Sequence, residues 1–77
     1  MNNTRRKAIE RIAEQLETLK DEFEAVKDEE QEAYDNLPEG IQMSERGERM
    51  ESVLYNLEEI LSNLEDAVEA MNNYEDV

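Results

Sequence analysis

The sequence predicts an all-α protein: an antiparallel two-helix coiled-coil hairpin that dimerises into a four-helix bundle. Three observations carry this expectation. Pro38 and Gly40 fall together in one short break, Asn36-Leu37-Pro38-Glu39-Gly40, and Gly47 is the only other glycine. Each flank of the break repeats apolar residues at alternating steps of three and four, the period of a coiled-coil seam. The two seams also match each other. If the chain folds back at Gly40, facing residues have numbers with a constant sum, and every layer joins an a position to a d position.

The first helix is expected over about residues 4–35, a stretch without Gly or Pro and rich in Glu, Lys, Leu and Ala. Its seam is Ile9, Ile12, Leu16, Leu19, Phe23 and Val26, continuing through Glu30, Ala33 and Leu37. The turn is expected over 36–43. Pro38 disfavours helical geometry at Leu37, and Gly40 suits a left-handed turn. The second helix is expected over about 44–73. Ser44 is a natural N-cap, and Glu45 and Glu48 complement the helix dipole in the first turn. Its seam is Met50, Leu54, Leu57, Leu61, Leu64, Val68 and Met71, running back to Gly47 and Met43. Each helix would be about 45 Å long. The tail over 74–77 is expected to fray. The whole chain, 1–77, reads as one domain.

Pairing by constant sum sets the expected layers. Ile9 meets Met71, Ile12 meets Val68, Leu16 meets Leu64, Leu19 meets Leu61, Phe23 meets Leu57, and Val26 meets Leu54. Near the turn, Glu30 meets Met50, Gly47 faces Ala33 so that the backbones approach closely, and Leu37 caps the core with Met43; the alternative is that Leu37, Ile41 and Met43 present an apolar tip to a partner. One edge would be closed by ion pairs of Lys20 with Glu58 and Lys27 with Glu51. The other edge presents Val53, Ile60, Ala67 and Tyr74 at strict seven-residue spacing. Facing them are Glu29, Glu22, Gln15 and Ala8, which cover them poorly. This stripe is the expected protein-binding surface, and a second copy of the chain is its expected first occupant. A two-helix hairpin has a thin core, so another layer would stabilise it.

Composition excludes several classes of function. There is no His and no Cys among 77 residues, which removes imidazole and thiolate metal sites, disulfides, and His or Cys catalysis. No cofactor or metal is therefore expected. The turn places Asp35 and Gly40 at EF-hand spacing, but Leu37 and Arg46 occupy ligand positions that need side-chain oxygens. Ser44, Ser52 and Ser62 have no base to activate them, and a solvated rod offers no pocket to tune its carboxylates. No enzyme is expected.

The formal net charge is −14, from 22 acidic and 8 basic residues. Direct binding to nucleic acid or to an anionic membrane is not expected, because both need Lys and Arg against phosphate. No apolar run is long enough for a signal or a membrane span. The basic residues Arg5, Arg6 and Lys7 sit at a helix N-terminus, where the dipole disfavours them. Pairing with Glu69, Glu75 or Asp76 would offset that cost. The acids suggest a second kind of surface. Glu59, Asp66 and Glu69 on the second helix would add charge to the apolar stripe, and Asp28, Glu29, Glu30 and Glu32 form another cluster. Rows of carboxylates on a rigid helix can occupy a Lys/Arg groove as a DNA mimic, with fast and salt-sensitive association. The plainer reading is a solvated face that keeps the protein soluble.

The stretch from Tyr34 to Glu51, with Leu37-Pro38-Glu39-Gly40 followed by Ser44-Glu45-Arg46-Gly47-Glu48, resembles short acidic helical proteins of bacteriophages, prophages and plasmids. The resemblance covers the turn and second helix, about half the chain. It implies a small protein acting by binding in the cytoplasm of a bacterial host. On that basis the expected function is inhibition of a host defence or nucleic-acid-processing complex, by steric or DNA-mimicking occlusion. Two alternatives stand beside it: a structural, homodimeric coiled coil without inhibitory role, and an antitoxin-like partner of a basic protein.

Overall fold

The structure, a computed structural model, describes residues 1–74. Among them are three helices and no strand: α1 (Asn3–Asp35), α2 (Glu39–Gln42) and α3 (Glu45–Asn73). The expected frayed tail lies, beyond Tyr74, outside the described residues.

Local chemistry sets the helix ends. The Asn2 side chain caps α1, its Oδ1 accepting from the Arg5 amide at 2.9 Å. Ser44 caps α3, and its Oγ accepts from the Gly47 amide at 3.4 Å. Glu45 and Glu48 lie in the first turn of α3. The turn differs from the expected left-handed bend. Pro38, with φ fixed at −56°, starts the single helical turn α2, and its carbonyl accepts from the Ile41 and Gln42 amides. Gly40 lies inside α2, and no described glycine has positive φ. The Gln42 side chain donates to the Tyr34 carbonyl at 3.0 Å and ties α2 to the end of α1.

The molecule is a rod of 58 × 17 × 12 Å. α1 and α3 lie against each other, and their contacts run in opposite order along the two helices. Tyr34 reaches Glu51, Lys27 reaches Glu58 at 3.2 Å, and Ile9 and Ile12 share a concavity with Ala67, Ala70 and Met71. The inward face of α3 is Gly47, Met50, Leu54, Leu57, Leu61, Leu64, Val68 and Met71. That of α1 is Ile9, Ala13, Leu16, Lys20, Phe23, Lys27, Glu30, Tyr34 and Leu37.

The α1 face corrects the expected seam. Ile9, Leu16, Phe23, Glu30 and Leu37 stay at the contact. Ile12, Leu19, Val26 and Ala33 turn outward, and their places go to the residues that follow each of them. Leu19 and Val26 are both 56% exposed, whereas the neighbouring Lys20 and Lys27 side chains are only 19% exposed. The physical reason is width. The apolar stripe of α1 spans more of its circumference than one partner helix can cover. With this rotation the lysine stems lie along α3, while the Lys27 ammonium reaches Glu58 of α3 and that of Lys20 reaches Asp21 of its own helix.

The cross-helix pairs move accordingly. Lys27 bonds Glu58 rather than Glu51, one heptad from the expected partner, and Glu51 takes the Tyr34 hydroxyl instead. Lys20 pairs with Asp21 at 3.3 Å and feels Glu65 rather than Glu58. The turn end needs correction too. Gly47 does not face Ala33, which is exposed; a Cβ at Gly47 would lie 2.5 Å from the Gln42 carbonyl carbon and 2.6 Å from the Ile41 oxygen. Met43 is 77% exposed, so it does not cap the core with the half-buried Leu37.

Candidate interaction surface

The rod has two unlike edges. On one, Lys20, Lys27 and Tyr34 of α1 stand beside Glu65, Glu58 and Glu51 of α3. Polar bonds close this edge. The Tyr34 hydroxyl donates to the Glu51 carboxylate, and this bond raises the phenol above its ordinary pKa. The bond to Glu58 raises Lys27, with Asp28 adding at 3.4 Å. A hydrogen bond to Asp21 raises Lys20, with Glu24 and Glu65 adding to it. In all three the largest cause is a carboxylate accepting from the protonated form, while burial adds to the rise at Tyr34 and opposes it at both lysines.

The opposite edge is open. Val53 is 45% exposed, Ile60 43% and Tyr74 37%, and Ala67 is half-buried. Beside them lie the outward residues of α1. The two sets meet in one concavity of 440 Å³, lined by Ile9, Ile12, Ala67, Ala70, Met71 and Tyr74. The stripe expected on α3 alone is thus half of a two-row apolar band, completed by Ile12, Leu19 and Val26. Sequence reasoning missed the α1 row because a strict heptad reading placed it in the core. The signal was present in the sequence. Ala13, Lys20, Lys27 and Tyr34 form a second seven-residue row beside Ile9, Leu16 and Phe23, with carboxylates of α3 within reach.

Charge on α3 is segregated between its two flanks. Every acid of α3 falls on the closed edge or the outer face: Glu45, Glu48, Glu51, Glu58, Glu59, Glu65, Asp66 and Glu69. The open flank carries none. Beyond the Val53–Ile60–Ala67–Tyr74 row lie the exposed, uncharged Asn56, Asn63 and Ala70.

Glu59, Asp66 and Glu69 therefore lie on the outer face of α3, not on the apolar band they were expected to flank. They are exposed and take no ion pair among the described residues. The Asp28–Glu32 cluster is split. Asp28 pairs with Lys27, Glu30 is half-buried at the contact with α3, and Glu29 and Glu32 are exposed. At the N-terminus, Arg6 donates to Asn3 Oδ1 at 2.9 Å. Of the partners expected for this basic tip, Glu69 takes no ion pair among the described residues, and Glu75 and Asp76 lie outside them. No helix is long and apolar enough to cross a membrane, and no metal-binding cluster of acids occurs, among the described residues.

No protein-family model, no curated protein and no solved structure matches the chain.

Proposed function

We propose that the protein is a non-enzymatic, acidic binding module, built as an antiparallel coiled-coil hairpin that joins a second copy in a four-helix bundle. The observation that carries this reading is the separation of surfaces: one apolar band without an α3 acid, and one outer ridge, Glu59, Asp66 and Glu69, without an ion pair among the described residues. A catalytic site needs converging polar groups in an enclosed pocket. This rod offers an open apolar band, its concavity lined by Ile, Ala, Met and Tyr side chains, and a charged ridge, which suit association.

The carboxylate ridge of Glu59, Asp66 and Glu69 suits a basic groove that otherwise holds nucleic acid. With the resemblance to short acidic phage and plasmid proteins, the reading becomes inhibition of a host defence or nucleic-acid-processing protein by occlusion of that groove. The site of action is then the bacterial cytoplasm. Spacing supports the geometry: carboxylates one helical turn or one heptad apart present repeated negative charge along a stiff axis.

The test uses the full chain as bait in a lysate of a bacterial host, then titrates each captured protein by calorimetry at two salt concentrations. The reading expects a basic nucleic-acid-binding protein whose affinity falls steeply with salt. It also expects the triple variant Glu59→Lys, Asp66→Lys, Glu69→Lys to lose that partner while keeping its helicity. A partner held equally at both salt concentrations overturns the mimicry. A second reading, a purely structural dimer, is favoured by the apolar band itself and predicts no basic partner.

A further inference from the structure

The open band calls for an occupant, and three observations identify it. The first is area. The chain exposes 5980 Å². A compact monomer of 9.0 kDa exposes about 4,850 Å². The excess of about 1,100 Å² reflects an elongated rod of 58 × 17 × 12 Å with a thin core, which a second layer would thicken. The second is chemistry. Both rows of the band are apolar, Ile12, Leu19 and Val26 on one helix and Val53, Ile60 and Tyr74 on the other, and α3 keeps its acids off this side. An acidic second copy can approach here without placing α3 carboxylates against each other.

The third observation is the placement of charge along α1, and it fixes orientation. Arg5 continues the row of Ile12, Leu19 and Val26 at seven-residue spacing. Arg11 and Glu32 share the next row but one, and Gln15, Glu22 and Glu29 lie between. All six side chains are exposed. The basic residues 5 and 11 and the acidic residues 29 and 32 lie at similar distances on either side of Leu19. Turning one α1 end for end about Leu19 therefore brings Arg5 beside Glu32, Arg11 beside Glu29 and Gln15 beside Glu22.

We infer that a second copy of this chain covers the band, with the two rods antiparallel about a two-fold axis crossing near Leu19 and Ala67. In this dimer α1 packs on the partner's α1 and α3 on its α3. The interface is isologous, as a two-fold requires. The alternative two-fold runs along the rod and sets α1 against the partner's α3. That arrangement puts Glu29 and Glu32 beside the level of residues 53–57, because Lys27 bonds Glu58 and Tyr34 bonds Glu51. No basic side chain lies in 53–57. The nearest on this flank are Arg49, in an exposed pair with Glu45 at 3.2 Å, and Arg46, one heptad before Val53. The charge pattern of α1 thus favours the antiparallel dimer. This inference rests on the reading of the protein as a self-associating module, and it is independent of the acidic ridge and its basic partner.

The test has two parts. Light scattering on the unaltered chain gives the mass: twice 9.0 kDa is expected. A single-chain mass at every concentration overturns the second copy as occupant, whatever the acidic ridge binds. Orientation is then read from charge reversal. Arg11→Glu and Glu29→Arg are each expected to weaken dimerisation about 3- to 10-fold, and the double reversal to restore it. Residues 11 and 29 lie on one helix too far apart to touch, so rescue reports contact between copies. The chain lacks cysteine, so Leu19→Cys is a clean second probe. Its oxidation is expected to give a covalent dimer, with helicity checked by circular dichroism. A dimer that shows neither rescue nor the Leu19→Cys cross-link overturns the antiparallel arrangement and leaves self-association standing.

Discussion

At the scale of single residues, the two glycines have opposite roles. Gly40 sits in helical backbone, and a Cβ there would meet nothing within 4 Å. Gly40→Ala should stabilise the protein by about 0.4–1 kcal/mol, through the unfolded chain. Gly47 is buried against the carbonyls of α2, so Gly47→Ala should cost about 1–3 kcal/mol as that turn is pushed away. Thermal melts of the two variants check both signs. The Tyr34–Glu51 bond makes a third prediction. Its folded phenol titrates above an unfolded tyrosine, so its stabilisation is complete below about pH 10 and is lost as pH rises through the folded value. Lys27, also raised, acts in the same direction. Stability should therefore fall on the alkaline side, and Tyr34→Phe should flatten that fall. Absorbance of the phenolate should show Tyr34 titrating above an unfolded tyrosine. Neither glycine's role was legible from sequence. Both follow from α2, a single turn that periodicity is too short to reveal.

At the scale of elements, α1 and α3 differ in how completely their patterns determine them. The seam of α3 was legible because it holds one stripe, from Met50 to Met71, flanked by acids on one side. α1 carries two overlapping stripes that share Ile9, Leu16 and Phe23. Heptad counting favours the one with Ile12, Leu19 and Val26. Long-range pairing to Glu51, Glu58 and Glu65 favours the one with Lys20, Lys27 and Tyr34. A sequence read helix by helix cannot weigh the second effect, because it depends on the rotation and level of the partner helix. The two kinds of apolar residue should respond differently to mutation. Leu61→Ala, at 6% exposure, should cost about 2–5 kcal/mol at any protein concentration. Leu19→Gln should lower the melting temperature only where dimers form, and should remove its dependence on concentration.

At the scale of the whole molecule, the helical class was legible and the exposed surface was only half legible. The row on α3 could be read because nothing on the chain covers it. The row on α1 emerged only once α1 had rotated. Net charge acts over the same distances as the rod's width. With −14 on 77 residues, self-repulsion opposes both folding and association. Raising salt from 0.01 M to 1 M shortens the screening length from about 30 to 3 Å. The melting temperature and the dimer affinity should both rise with salt, the reverse of the trend expected for capture of a basic partner. Melts and light scattering across a sodium chloride series check this.

The order of contacts along the rod also sets an order of assembly. Tyr34 and Glu51 are 17 residues apart, and Lys27 and Glu58 are 31 apart. Each doubling of the loop adds about 0.6 kcal/mol of closure entropy. The α2 end therefore closes at the smallest entropic cost, and each later contact closes a loop already shortened by the one before. The rod behaves as a zipper with its fastened end at α2 and its free end at Ile9 and Met71. Amide exchange should be slowest next to α2 and quicken steadily toward both termini.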